Sequence, residues 1–334
     1  MTDPVVSVDM ITYNHAPYIG RAIEAVLAQK TDFPFELVIG EDCSTDETRK
    51  IVFDYQSRYP QIIRVITSDH NIGSSLNGYR TQKACRGKYI AFCEGDDYWH
   101  RPDKLQQQVA YLEARPDYAM VYSDHDRYYV ATGKTESSRN KTEGVVQPHN
   151  PDMPAILFDP QCRIFTCTVM ARTALAHQVA EADPVLFNSR RFMMGDTPRW
   201  AELSLLGKIG YIDESLATYS VLEESANHSK DPKRSLRFVQ SGCELRLYMI
   251  DKHNLSQEKR VRFERRWRKY SLKLAFHDGD AALAEEVRKQ AESLSVVDRI
   301  RYWGARSRPL NMVLVATVRL FRPVRRFLNP PVQP

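Results

Sequence analysis

Short apolar runs and amphipathic segments alternate through the first 125 residues. Residues 5–11 (VVSVDMI) read as a buried strand. Residues 17–29 follow as a helix. Ile19, Ala22, Ile23, Val26 and Leu27 recur there at helical spacing, and Pro17 sits in the first turn. The pattern repeats as a strand over 35–39, a helix to about residue 59 and a strand over 62–67. Ser44, Thr45 and Asp46 offer caps for that helix, and Pro60 stops it. A helix over 77–85, a strand over 89–93, a helix over 102–114 and a strand over 118–122 complete the series.

Strands alternating with helices predict a parallel sheet with both faces covered. In such sheets ligands sit outside the carboxyl ends of the strands. Three polar groups fall there: Thr12-Tyr13-Asn14, Glu41-Asp42, and the carboxylates Glu94, Asp96 and Asp97. The last group is unusual. The apolar run ending at Cys93 leads straight into three negative charges, which repel one another more strongly as they lose water. A positive partner is expected.

Beyond residue 125 the pattern is less regular. Residues 130–155 are polar and read as a loop or insertion. A strand is expected over 163–171, a helix over 173–182, a helix over 197–206 closed by Gly207, and a strand over 209–212. From residue 235 the pattern is helical and basic. No run reaches the ~18 apolar residues of a membrane span, and the N-terminus lacks the basic start and apolar core of a signal peptide.

Composition adds two points. With 334 residues and 43% hydrophobic content, the chain can bury a sizeable core. The six cysteines are scattered without zinc spacing, which points to reduced thiols in a cytoplasmic protein. The net charge of +5 hides an asymmetry. Residues 1–228 carry 23 Lys and Arg against 31 Asp and Glu, whereas residues 229–334 carry 24 against 11. An acidic front suits metal ions, and a basic rear suits phosphate groups. Two domains, 1–228 and 229–334, follow from this break.

Four segments in order carry a family likeness: VSVDMITYNHAPYIGRAIEAVLAQ, FELVIGEDCSTDETRKIV, NIGSSLNGYRTQKACRGKYIAFCEGDDYWHRPDKLQQQ and MMGDTPRWAELSLLGKIGYIDESLATYS. Together they resemble the family 2 glycosyltransferases. That resemblance implies the GT-A fold, a Rossmann-like α/β mixed sheet flanked by helices, here with a helical basic C-terminal extension.

The resemblance also implies roles. Thr12, Tyr13, Asn14, Glu41 and Asp42 would hold the base and ribose of a nucleotide-sugar donor. Asp97 would ligate Mg²⁺ or Mn²⁺, hard cations that take oxygen ligands, with Asp96 on ribose or a metal-bound water. Asp196 would be the general base of an inverting transfer. Read without the resemblance, Asp196 is the cap of the helix that follows, and Asp42 that of the helix after the second strand.

One departure stands out. Relatives carry Tyr-Arg and then a His two residues on; here the segment reads Thr218-Tyr219-Ser220-Val221-Leu222. Arg80, Lys83 and His228 are the candidate diphosphate contacts in compensation. The expected activity is sugar transfer, from a UDP-sugar, to a glycan or lipid-linked hydroxyl in surface polysaccharide or lipopolysaccharide assembly. The alternative is an inactive nucleotide-sugar-binding scaffold.

The basic rear mixes Arg with Trp, Tyr, Leu and Phe over 256–276 and 299–328. That mixture suits an anionic membrane surface at the cytoplasmic face. Packing against the catalytic domain would use the same pattern. No nucleic-acid-binding motif is present.

Overall fold

Four short strands, β1 (Val6–Thr12), β2 (Phe35–Glu41), β3 (Ile63–Thr67) and β4 (Tyr89–Phe92), lie parallel in the order β3-β2-β1-β4. The computed structural model describes residues 3–148, 150–223, 231–291, 293–307 and 309–313. Helices α1 (Ile19–Leu27), α2 (Thr48–Arg58) and α3 (Ser74–Ala84) connect the strands. The chain winds outward from β1 to β3 and then returns to the other side of β1 with β4. That reversal opens a crevice at the carboxyl ends of β1 and β4, where such sheets bind ligands.

The period-2 alternation of β1 explains its two faces. Val6, Val8 and Met10 join Ile19, Ile23, Val26, Leu37 and Ile39 in the main core, all fully buried. Each such side chain contributes on the order of 1.5–3 kcal/mol through burial. Ser7 and Asp9 point to the opposite face. There Ser7 Oγ donates to Glu36 Oε1 across 2.7 Å.

The sheet is mixed rather than wholly parallel. After α4 (Lys104–Glu113) comes β5 (Tyr118–Tyr129), far longer than residues 118–122. The expected loop over 130–155 contains β6 (Lys134–Glu136), α5 (Arg139–Thr142) and the start of α6 (Met153–Phe158). Its few apolar residues hid this order. Asp124, buried in β5, accepts from the Asn140 backbone and so holds α5. The expected strand over 163–171 is only β7 (Met170–Arg172), preceded by one 3-10 turn, Thr166–Thr168. β7 runs antiparallel to both β4 and β5. Helices α7 (Thr173–Ala182), α8 (Pro184–Phe187) and α9 (Asp196–Leu203) follow. The last strand, β8 (Lys208–Val221), pairs with β5 along its length and is broken by register shifts, so an apolar run of four residues understated it.

Contacts divide the chain into two compact units, Met1–Glu223 and Glu224–Pro334. The second unit holds α10 (Pro232–Lys252), α11 (Gln257–Asp278), α12 (Ala281–Lys289) and α13 (Val296–Arg306). Its centre is α11, which buries Phe263, Trp267, Leu272, Leu274 and Ala275. Trp267 Nε1 donates to Glu244 of α10 at 2.9 Å. Among the described residues no helix is long and apolar enough to cross a membrane. All six cysteines are free thiols.

Candidate active site

The strand ends bring together the three polar groups that the sequence separates. Thr12 stands opposite Glu41 in the β1–β2 ladder. The Asp42 N–H donates to Thr12 O at 3.1 Å, and the Gly95 N–H donates to Ile11 O at 3.0 Å. Asn14 adopts a left-handed backbone with φ of 55°, which its short polar side chain tolerates. Its Oδ1 accepts from Thr45 N at 2.8 Å, and its own N–H donates to Ser44 Oγ at 3.0 Å. Asn14 therefore laces the loop after β1 to the loop after β2. Tyr13 stands on that laced loop and is 40% exposed, so its ring faces the crevice side or solvent rather than the core.

Glu41 departs from its expected role. Its carboxylate is fully buried and already engaged, by Arg49 Nε at 2.7 Å, Ser44 N at 2.6 Å and Thr67 Oγ1 at 3.2 Å. These donors hold its carboxyl below the ordinary range against the opposing effect of burial. Glu41 shapes the site from beneath. Asp42 accepts from the backbone N–H groups of Ile72 and Gly73, both at 2.9 Å, and so fixes the loop after β3. A carboxylate has about four lone-pair sites, so Asp42 keeps acceptor capacity.

Two of the candidate diphosphate cations already have protein partners. The Arg80 guanidinium donates to Glu41 O at 2.8 Å and to Asn77 Oδ1 at 2.9 Å, which ties it to the end of β2. Lys83 is bound to Glu181 on the surface of α7. His228 lies outside the described residues.

The acidic group is close-set. A Cβ built on Gly95 would lie 2.7 Å from Thr12 Oγ1 and 2.9 Å from Ile19 Cδ1, so only glycine lets the carboxylate loop rest on β1. Asp97 is buried, with Oδ1 accepting from Ser220 N at 2.8 Å. Burial, followed by the charges of Asp96 and Glu94, drives its pKa well above the usual carboxylate range. Glu94 is pushed up to about 8 by burial and then by Asp96 and Asp196. Its Oε2 is buried and has no hydrogen-bond partner. The influence of Asp196 on Glu94 brings the first turn of α9 to this group. Asp196 is the first helical residue, with Gly195 before it as the cap, and its Oδ1 accepts from Thr197 N at 2.7 Å. Trp99, by contrast, is a packing residue, buried with Nε1 donating to Cys167 O at 2.9 Å.

Three charged residues were not singled out from the sequence. Arg199 lies one turn after Asp196, on the same face of α9. Its guanidinium is ringed by Phe92 at 5.4 Å, Phe187 at 5.8 Å and Trp200 at 5.9 Å. Asp9, Asp196 and Glu94 act on its charge, and its Nε is buried without a partner. Asp9 stands beside Phe92 in the β1–β4 ladder, and burial lifts its pKa to about 7 against the pull of Arg199. A lone acid inside a buried strand was the available signal for this pair. Arg21 of α1 stacks on Tyr98, 3.9 Å from the ring centre, and on Tyr128 at 4.9 Å, and it donates to Ser220 Oγ at 3.3 Å.

Among the described residues no three His, Cys, Asp or Glu side chains are arranged to ligate one ion. The chemistry nevertheless fits a hard divalent cation that brings further oxygens with it. The charged forms of Asp97 and Glu94 are disfavoured first by burial and then by neighbouring carboxylates, and one buried carboxylate oxygen lacks a partner. Mg²⁺-type ions are commonly held by one or two carboxylates plus water and substrate phosphates.

An uncharacterised protein of Mycobacterium tuberculosis is 44% identical over 116 residues, which cover 35% of this chain and 34% of that protein. The putative teichuronic acid biosynthesis glycosyltransferase TuaG of Bacillus subtilis is 34% identical over 112 residues, covering 34% of this chain and 43% of TuaG. These matches span about a third to under half the length of those relatives. Among solved structures, S. aureus TarS 1-349 in complex with UDP-GlcNAc has a TM-score of 0.53 at 16% identity, covering 90% of this chain and 79% of that one. The mannosyltransferase PcManGT from Pyrobaculum calidifontis, in complex with GDP-Man and Mn²⁺, also has a TM-score of 0.53, at 15% identity, covering 96% of this chain and 88% of that one. The fold is therefore the GT-A fold. Residues 7–177, just over half of the chain, match the model "Glycosyl transferase family 2", and the chain belongs to that family.

Proposed function

We propose that the protein is an inverting glycosyltransferase that moves a sugar from a nucleotide-diphosphate donor, a UDP-sugar, to a hydroxyl acceptor. The observation that carries this reading is the meeting of Glu94, Asp96, Asp97 and Asp196 at the switch point of the sheet. Catalysis belongs to residues 1–228, and residues 229–334 are the basic accessory region.

The donor's base and ribose lie along Tyr13, Asn14 and Asp42, with Thr12 beneath them. Thr12 Oγ1 is buried and has no partner, so it has a hydrogen bond to offer. Asp97 would hold Mg²⁺ or Mn²⁺ beside the donor diphosphate, with Asp96 on the ribose or on a metal-bound water. Such an ion, when bound, offsets the charge that develops on the leaving phosphate oxygen. Asp196 accepts the proton of the acceptor hydroxyl as its oxygen bonds to the anomeric carbon and the bond from that carbon to the diphosphate breaks. Arg199 holds positive charge beside Asp196 and Glu94, and Arg21 steadies the Ser220 strand end that grips Asp97. The acceptor class is a glycan or lipid-linked hydroxyl at the cytoplasmic face; a place in surface polysaccharide assembly is in line with the name of the teichuronic acid biosynthesis relative.

Thermal denaturation with UDP, GDP, CDP or dTDP, each with and without Mn²⁺, tests the donor site. A ligand that binds only the folded state stabilises it, by about 2.7 kcal/mol at a hundredfold excess over Kd. A metal-dependent rise with UDP that disappears in Asp97→Ala is expected. A flat response to all four nucleotides would overturn the reading.

A further inference from the structure

Helix α13 is apolar on two sides. Inward, Tyr302, Gly304 and Ala305 are buried, and Tyr302 donates to Glu285 of α12 at 2.7 Å. Outward, Val296 is 65% exposed, Val297 53%, Ile300 45% and Trp303 56%. Val296, Ile300 and Trp303 follow i, i+4, i+7 spacing and form one stripe. With Arg299 and Leu310 they line a cleft of about 300 Å³. The three other tryptophans, Trp99, Trp200 and Trp267, are all buried.

Charge identifies what would cover this stripe. Arg299 stands exposed within the cleft, and it has no carboxylate partner among the described residues. On α11, burial and then the charges of Arg301 and Lys269 lower the pKa of Lys273. Arg262, Arg265, Arg266 and Lys269 are exposed along α11. The sequence after residue 313 adds Arg319, Arg322, Arg325 and Arg326 and no carboxylate. A protein partner with a plain apolar groove would leave these cations uncompensated. An anionic lipid surface answers both needs: its headgroup layer takes Trp and aliphatic side chains, and its phosphates take Arg and Lys.

We propose that the outer face of α13, centred on Trp303 and Ile300 with Arg299, docks on an anionic lipid bilayer. The docking does not depend on catalysis, although it gives the proposed transferase access to a membrane-borne acceptor.

Because the other tryptophans are buried, the part of the full-length protein's emission that iodide can quench, and the change in emission on docking, report chiefly on Trp303. Vesicles of phosphatidylcholine, with and without phosphatidylserine, are the probe. With the anionic vesicles, the emission should shift to the blue, iodide quenching should fall, and about tenfold more protein should sediment than with neutral vesicles. High salt should reduce this binding. The double variant Arg299→Glu, Ile300→Ser, changed only at exposed positions, should melt normally, keep its response to UDP and Mn²⁺, and lose vesicle binding. Trp303→Phe should remove the optical signal and retain most sedimentation.

Three results would overturn the proposal. One is the absence of sedimentation with anionic vesicles. Another is a concentration-dependent blue shift without lipid, which would make a second copy of the chain the occupant. The third is Trp303 emission already blue and shielded from iodide without lipid, which would mean that the chain's own last residues cover the stripe. A failed nucleotide response with intact vesicle binding would count against the proposed activity alone.

Discussion

The backbone N–H of Ser220 donates to Asp97 Oδ1 at 2.8 Å, so the end of β8 grips the carboxylate expected to hold the metal. Arg21 secures that strand end from α1 through Ser220 Oγ and the rings of Tyr98 and Tyr128. A group that orients a metal ligand commonly changes metal affinity by about 10- to 100-fold when removed. Arg21→Ala should weaken Mn²⁺ binding by that order, measured by calorimetry in the presence of UDP. Arg21→Lys should recover little, because an ammonium lacks the planar fork that stacks between the two rings. Unchanged Mn²⁺ affinity in both variants would remove Arg21 from this role.

The strand ends were legible because alternation of apolar runs and helices places Thr12, Asp42 and Asp97 at one edge, whatever the loops do. Arg21 was not legible. Its meaning depends on Ser220 and Tyr128, which reach it only when β5 and β8 pair through their full length. Arg199 was hidden for a similar reason. On α9 it reads as an ordinary helical arginine, and only the β1–β4 register sets Asp9 beside Phe92 and so beneath it. Glu41 shows the opposite failure. Its position at a strand end suggests ligand contact, but Arg49, in the first turn of α2, already pairs with it.

Asp196→Asn isolates the proton-transfer role. The amide keeps an oxygen at the position that accepts from Thr197 N, so the start of α9 is retained. Removing a positioned general base costs about 10²- to 10⁴-fold in rate. The expected outcome is a kcat lowered by that order, with the Kd for UDP and Mn²⁺ unchanged. An Asn variant of near-normal kcat would place the base elsewhere.

Gly95 sets how closely the acidic loop lies on β1. An added methyl would meet Thr12 Oγ1 at 2.7 Å and Ile19 Cδ1 at 2.9 Å. Overpacking of this kind costs about 1–3 kcal/mol. Gly95→Ala should lower the denaturation midpoint accordingly, and it should weaken metal-dependent UDP binding, because the loop that carries Asp96 and Asp97 must move. Gly78 is a control: it also lies in the first unit, and nothing stands within 4 Å of an added methyl there. Gly78→Ala, within α3, should leave nucleotide binding intact and raise stability by up to about 1 kcal/mol, because alanine is the better helix former.

The buried acids also set a pH dependence. Asp9 titrates at about 7 and Glu94 at about 8, both raised first by burial. In an unfolded chain such groups titrate near 4. Between those values the folded protein keeps protons that the unfolded chain has released. Stability from these groups is therefore fully present below about pH 4 and is lost as the pH rises through 7 and 8. The ligand-free protein should melt at a lower temperature at pH 8.5 than at pH 6. Asp9→Asn, which cannot ionise, should flatten that slope. Arg199→Met should steepen it, because the guanidinium opposes the rise in the Asp9 pKa. The two variants therefore move the slope in opposite directions, which a general loss of stability would not do. A slope unchanged by both would show that neither Asp9 nor its arginine contributes to the pH dependence.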